Sequence, residues 1–243
     1  MSNATLFDSI KDLRAFHGDA AIQQKYVERV RAHMLNDELV KGQYWEDGRG
    51  CGIGCTIYGS NHAAYESELG IPRVLARLED GIFELLPNEL AMTWPLRFLE
   101  SIPIGADLSM VYFQFMHWLL ADAADGVIRF ATDKARPGIE QVIELFARHL
   151  RGDYPTRSEW RSAADAAADA AYAAANAYAA ANAYAAADAY AAADAAYAAA
   201  DADADAYAAA AAYAADDAAD AADAARIKQS EKLLELLSSA ATS

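Results

Sequence analysis

The stretch Asp107–Leu120, DLSMVYFQFMHWLL, decides how the rest of the chain is read. Val111, Phe113, Phe115, Trp118 and Leu119 leave little polar surface around a helix of this length. A helix that is apolar on nearly every side must be surrounded by other elements. Asp107 supplies a side-chain oxygen suited to capping it. The segment therefore predicts the central core helix of an all-α globular domain.

Working back from it, Pro103 and Gly105 mark a turn. Asn88 opens a helix carrying Leu90, Trp94, Phe98 and Leu99, with Pro95 in a first turn or at a kink. Pro72 suits the first turn of a helix through Val74, Leu75, Leu78, Ile82 and Phe83 to Leu86. Asn61 is an N-cap for a helix from His62 to Leu69, and Gly70 is its stop. Ile22, Tyr26, Val27, Val30 and Met34 share one face of a helix over Ala20–Leu39, and Thr5–Phe16 predicts a shorter one. The intervening Tyr44–Gly59 reads as a loop. On the other side, Gly126–Pro137 connects to an amphipathic helix over Gly138–Leu150. No period-2 strand pattern emerges, so the expected domain is helical and spans residues 1–155.

Beyond Pro155 the chain changes character. Thr156–Ser243 contains neither Gly nor Pro, and a hexad surfaces: Asn176-Ala-Tyr178-Ala-Ala-Ala, then Asn182-Ala-Tyr184, then Asp188-Ala-Tyr190. Alanine favours helix most strongly, so residues 156–243 predict an alanine-rich helical arm. Six residues at 100° leave each tyrosine turned by about 120° from the last, which rules out a coiled-coil stripe. Asp201, Asp203 and Asp205 stack poor helix formers and like charges, so a bend is expected there. Ile227, Leu233, Leu234, Leu236 and Leu237 form an apolar face that needs a partner. The arm is expected to fold back or to oligomerise through this end.

Lys+Arg 20 against Asp+Glu 36 gives a net charge of -16. Eleven of those acidic residues are the aspartates between Ser162 and Ala225, which leaves -5 for the remainder. Nucleic-acid and anionic-membrane binding require clustered Lys and Arg, so neither partner is expected. No uncharged apolar run reaches membrane-spanning length, and no secretory leader is evident at MSNATLFDSIKDLR. Two cysteines do not make a disulfide framework. A reduced, cytoplasmic protein is expected.

Chemistry concentrates in Tyr44–Pro72, YWEDGRGCGIGCTIYGSNHAAYESELGIP, which holds both cysteines and glycines at every second position from Gly48 to Gly54. At Gly50–Thr56 (GCGIGCT), His62–Tyr65, Leu69–Pro72 (LGIP) and Leu75–Glu84 (LARLEDGIFE), the chain resembles a family of hypothetical proteins encoded by bacteria and their phages. The resemblance runs from Phe16-His17-Gly18 to Asp107. Many members carry an alanine-rich repeat tail that ends in a segment similar to Lys232–Leu237. Gly52 stands where the family implies alanine, and Arg49 where it implies lysine. The resemblance implies a shared fold and carries no catalytic roles.

Three readings of the stretch compete with plain packing. In the first, Cys55 is a thiol nucleophile with its pKa lowered at a helix start, His62 is its base and Glu66 orients His62. In the second, Cys51, Cys55 and His62 ligate a metal, with His17, His33 or Glu66 as the fourth ligand. In the third, the glycine backbone cradles a small anionic ligand, which would meet Arg49, Gly50, Gly52, Gly54 and Tyr65. Against these stands a tight loop in which both cysteines are small buried hydrophobes. Glu79 and Asp80 read either as a solvated face, or partners for Arg73 and Arg77, or as a carboxylate lip on the Cys/His site. The sequence favours a non-catalytic binding or interaction protein whose partner is a protein or a small anion, in a setting of phage–host conflict. A Cys/His enzyme and a metal-stabilised module are the alternatives. No cofactor and no metal are expected.

Overall fold

The computed structural model describes residues 5–177, 196, 199 and 219–242. Among these the chain is all-α, with α-helices joined by turns and no β-strand. It divides into two compact units.

One unit comprises Ile10–Val111 together with Arg226–Ser243. Its helices are α2 (Ala20–Leu35), α3 (Gly52–Ile57), α4 (Ala64–Leu69), α5 (Arg73–Leu85), α6 (Asn88–Ala91) and α7 (Trp94–Ser101), following α1 (Leu6–Ile10). The Asp19 side chain accepts from Ala21 N–H and so caps α2. Helix α2 stops at Leu35, short of the expected Leu39. Asp37 takes φ 54° and Glu38 N–H returns to the His33 carbonyl, a left-handed stop made without glycine. The single helix expected from Asn88 is two, α6 and α7, with Pro95 in the first turn of α7.

Tyr44–Gly59 is not wholly a loop, because Gly52–Ile57 is helical. Asp47 (φ 49°) and Gly48 (φ 83°) make a tight turn closed by reciprocal hydrogen bonds between Glu46 and Arg49. The chain then returns beside Leu39, and Cys51 becomes the residue preceding α3. Helix α5 is the hub: it packs against α3, α4, α6 and α7 and buries Val74, Leu75, Leu78, Ile82 and Phe83. Gly70 (φ 64°) lets α4 turn into α5, and a side chain there would collide with the Arg14 carbonyl.

The C-terminal helix α11 (Ala219–Ser238) brings its leucines to this unit. Leu233, Leu234 and Leu237 are buried, Arg97 pairs with Glu231 at 2.8 Å, and Asp107 N–H donates to the Ala241 carbonyl. The apolar end of the tail is thus docked, as its pattern requires.

The other unit comprises Met1–Ser9 and Tyr112–Ala225. It holds α8 (Val111–Ala121) beyond its first residue, α9 (Arg136–Leu150) and α10 (Arg157–Ala177). Tyr112, Phe113, Phe115, Met116, Leu119 and Leu120 are buried, as expected of a core helix. The compositional border near residue 155 falls inside this unit. Trp160 packs 4.8 Å from Phe146, and Gly138 lets α10 approach α9 at Ala167, so the start of the alanine-rich segment belongs to a core. The hexad beyond Ala177 and the bend expected at Asp201–Asp205 lie outside the described residues.

Candidate functional site

The site is built on α5, α3 and the segment leading into α3. Gly50 and Gly54 are fixed by one neighbour: a Cβ on either would lie 1.9 or 1.4 Å from the Tyr44 carbonyl oxygen. Only glycine permits that approach. Gly50 and Cys51 N–H groups donate to the Glu38 and Gln43 carbonyls, so both amides are committed to the fold. Arg49 donates to the Asp37 carbonyl, and Tyr65 is completely buried. The Gly50 and Cys51 amides are thus closed to an anion, and Gly52 and Gly54 lie within α3.

Both cysteines are free thiols and both are buried. Cys55 lies in the middle of α3, not at its start. Its sulfur sits 3.4 Å from the Gly50 carbonyl and 3.8 Å from the Glu38 carbonyl, as a donor to both. Burial pushes its thiol up to about 12, opposite in direction to the thiolate that a nucleophile needs. Cys51 stands at the α3 N-terminus, but burial and the adjacent Asp80 carboxylate raise its pKa as well. The helix N-terminus does not offset these effects.

His62 does not meet Cys55. Its Nε2 lies 3.2 Å from Asp80 Oδ2, its side chain is 1% exposed, and its ring stands edge-on to Tyr44 at 5.5 Å. Glu66 does not orient it either. The Glu66 carboxylate accepts from Arg73 N–H at 3.0 Å and stabilises the start of α5. The role expected of Glu66 is filled by Asp80, about two turns along the next helix. The other candidate ligands are also engaged elsewhere: His17 with the Ser67 carbonyl, His33 with Glu38 at 2.6 Å.

What the fold assembles instead is an acidic cluster around Cys51. Cys51 Sγ, an Asp80 oxygen and a Glu84 oxygen lie within 4.8 Å of one another. Asp80 Oδ2 accepts from both His62 and the Tyr44 hydroxyl (3.1 Å), while its Oδ1 is buried with no partner among the described residues. Glu84 accepts from Gly42 N–H. Glu79 is fully buried, and neither of its oxygens has a hydrogen-bond partner among the described residues. Burial, then the charges of Asp80 and Glu84, hold its pKa well above the ordinary carboxylate range.

Glu79 is buried and Asp80 half-buried beside Cys51, so neither lies on a fully solvated face. Glu84 carries a signal that the sequence reading passed over: it is four residues beyond Asp80 and so shares its helix face. In the other unit a surface groove of about 470 Å³ runs between α9 and α10, but its Arg148 is already paired with Asp153 and Glu159. No helix among the described residues is long and apolar enough to cross a membrane. Comparison of the chain with protein-family models, curated proteins and solved structures finds no match.

Proposed function

We propose that this is a non-catalytic binding protein whose functional centre is the cluster of Cys51, Asp80 and Glu84 with His62 and Glu79 around it. The observation that carries the reading is the separation of the thiol from its would-be base: Cys55 donates to backbone carbonyls, and His62 is held by Asp80. A nucleophile and base must share a hydrogen bond, or be one small motion from it, and here each is locked to a different neighbour. Binding is supported by polar groups that the fold buries without pairing, since such groups otherwise cost stability. The cluster is acidic, so its chemistry suits a cation or a basic protein segment better than a small anion. On the resemblance to bacterial and phage-encoded proteins, the setting we propose is phage–host conflict.

Alkylation of the native protein with iodoacetamide at neutral pH tests the non-catalytic reading. Cys55 should label only on the timescale of unfolding, at a rate that the His62→Gln variant changes no more than its stability predicts. Rapid labelling of Cys55 that collapses in His62→Gln would establish the thiol enzyme instead.

A further inference from the structure

We propose that Cys51, Asp80 and Glu84 form a binding site for one divalent transition-metal cation of the zinc class. The inference deepens the binding reading above by naming the ligand. Three side chains from two elements bring one sulfur and two carboxylate oxygens within 4.8 Å of one another. Ligands at 2.0–2.3 Å from a tetrahedral metal stand roughly 3.2–3.8 Å apart, so a contraction on the order of 1 Å completes the site. Asp80 and Glu84 are i and i+4 on α5, a spacing that keeps both carboxylates on one face. Cys51 is delivered to that face because Gly50 and Gly54 let its segment pack against the Tyr44 backbone.

Independent features point to an occupant. His62 and the Tyr44 hydroxyl both hold Asp80 Oδ2, while Oδ1 is buried and has no hydrogen-bond partner among the described residues. Metal-ligating carboxylates are commonly oriented through the oxygen that does not face the metal. Glu79, 0% exposed and without a hydrogen-bond partner among the described residues, is turned toward Gly52, the residue after Cys51. A Cβ on Gly52 would lie 2.3 Å from Glu79 Oε1. Glu79 is outside the ligand triangle and is buried beside it.

The ligand set selects the metal. A thiolate excludes calcium and magnesium, which take oxygen alone, and favours zinc or a similarly borderline ion. Binding replaces the Cys51 S–H bond with a sulfur–metal bond and releases one proton to solvent, with no change of oxidation state.

Cobalt(II) is the probe, because thiolate ligation gives it a near-ultraviolet charge-transfer band. Full-length protein freed of metal with a chelator should take up one equivalent of Co²⁺ with that band, and Zn²⁺ should displace it. Cys51→Ser should abolish the band and Cys55→Ser should keep it. Asp80→Asn and Glu84→Gln should each weaken Zn²⁺ binding by at least about 10-fold while keeping the wild-type circular dichroism. Should Cys51→Ser fail to fold, the band and affinity of Glu84→Gln carry the test. Absence of stoichiometric uptake, or a band that survives Cys51→Ser, overturns the site. Those results leave the alkylation outcome untouched, so loss of the metal and loss of the non-catalytic reading are separate findings.

Discussion

His62 Nε2 lies 3.2 Å from Asp80 Oδ2, which ties the only histidine of the cysteine-bearing stretch to helix α5 and to neither sulfur. The pair joins the turn before α4 to the hub helix, and Tyr44 closes the same oxygen from the α3 side at 3.1 Å. Three segments thus converge on one carboxylate. A charge-assisted hydrogen bond of this kind contributes about 1.5–3 kcal/mol. A double-mutant cycle with His62→Gln and Asp80→Asn, read by urea denaturation, should give a coupling in that range. Additive losses would mean that the contact contributes nothing specific.

Glycines 52 and 54 should differ sharply when each is changed to alanine. In a helix the change alone favours stability by up to about 1 kcal/mol. At Gly54 the new Cβ would meet the Tyr44 carbonyl at 1.4 Å, which is backbone and cannot step aside. Gly54→Ala should therefore cost at least about 3 kcal/mol or prevent folding. At Gly52 the nearest atom is Glu79 Oε1 at 2.3 Å, followed by the Pro95 ring at 2.7 Å. Gly52→Ala should cost about 1–3 kcal/mol, and Glu79→Ala should recover part of it. Equal costs at the two glycines, or no coupling to Glu79, would contradict this packing.

His149 supplies a pH dependence. Its ring stacks on Phe113 at 3.7 Å, it is 2% exposed, and neither nitrogen has a hydrogen-bond partner among the described residues. Burial lowers its pKa to about 4, against a weaker opposing effect of Asp8. The unfolded chain, with an ordinary histidine near 6.5, binds the proton first as pH falls. The contribution is fully present above about pH 6.5 and is lost between there and pH 4, amounting to about 3 kcal/mol. Chemical denaturation from pH 7.5 to 4.5 should show this loss, and His149→Phe should flatten that part of the curve. An unchanged profile in the variant would assign the acid sensitivity to other groups.

The long helical segments were legible because their burial is a one-dimensional pattern. Leu75, Leu78 and Ile82 on α5 are buried at helical spacing, and Phe113, Phe115 and Leu119 belong to α8, which is buried on nearly every side. Helix α3 was only partly legible: a start was expected at Cys55 and lies at Gly52, because glycines at 52 and 54 argue against helix locally and only the Tyr44 backbone packed beside them makes that composition necessary. The compositional border near residue 155 does not coincide with a limit of either unit: alanine composition marks a propensity, whereas Trp160 and Ala167 mark a core. The site was half legible. Cys51, His62, Glu79 and Asp80 stood out as chemistry, but their pairing depends on how α5 lies against α3. Glu66 lay nearer to His62 in sequence and still turned to Arg73.

The docked C-terminus gives the last test. Leu233 and Leu237 are completely buried, Leu236 is half-buried, and the exposed Arg97–Glu231 pair lies beside them. An exposed ion pair contributes roughly 0–1 kcal/mol, whereas truncating a buried leucine costs about 2–5 kcal/mol. Burial and not charge should therefore hold this end of the chain. Leu237→Ala should lower the stability of the unit containing Cys51 by about 2–5 kcal/mol, Leu236→Ala by less than half as much, and Glu231→Gln by under about 1 kcal/mol. The measurement is urea denaturation of the full chain followed by fluorescence of Trp94, with the other three tryptophans replaced by Phe and that variant as reference. Leu237→Ala without effect on that transition would show that the helix is not docked, and a larger loss from Glu231→Gln than from Leu237→Ala would reverse the assignment of what docks it.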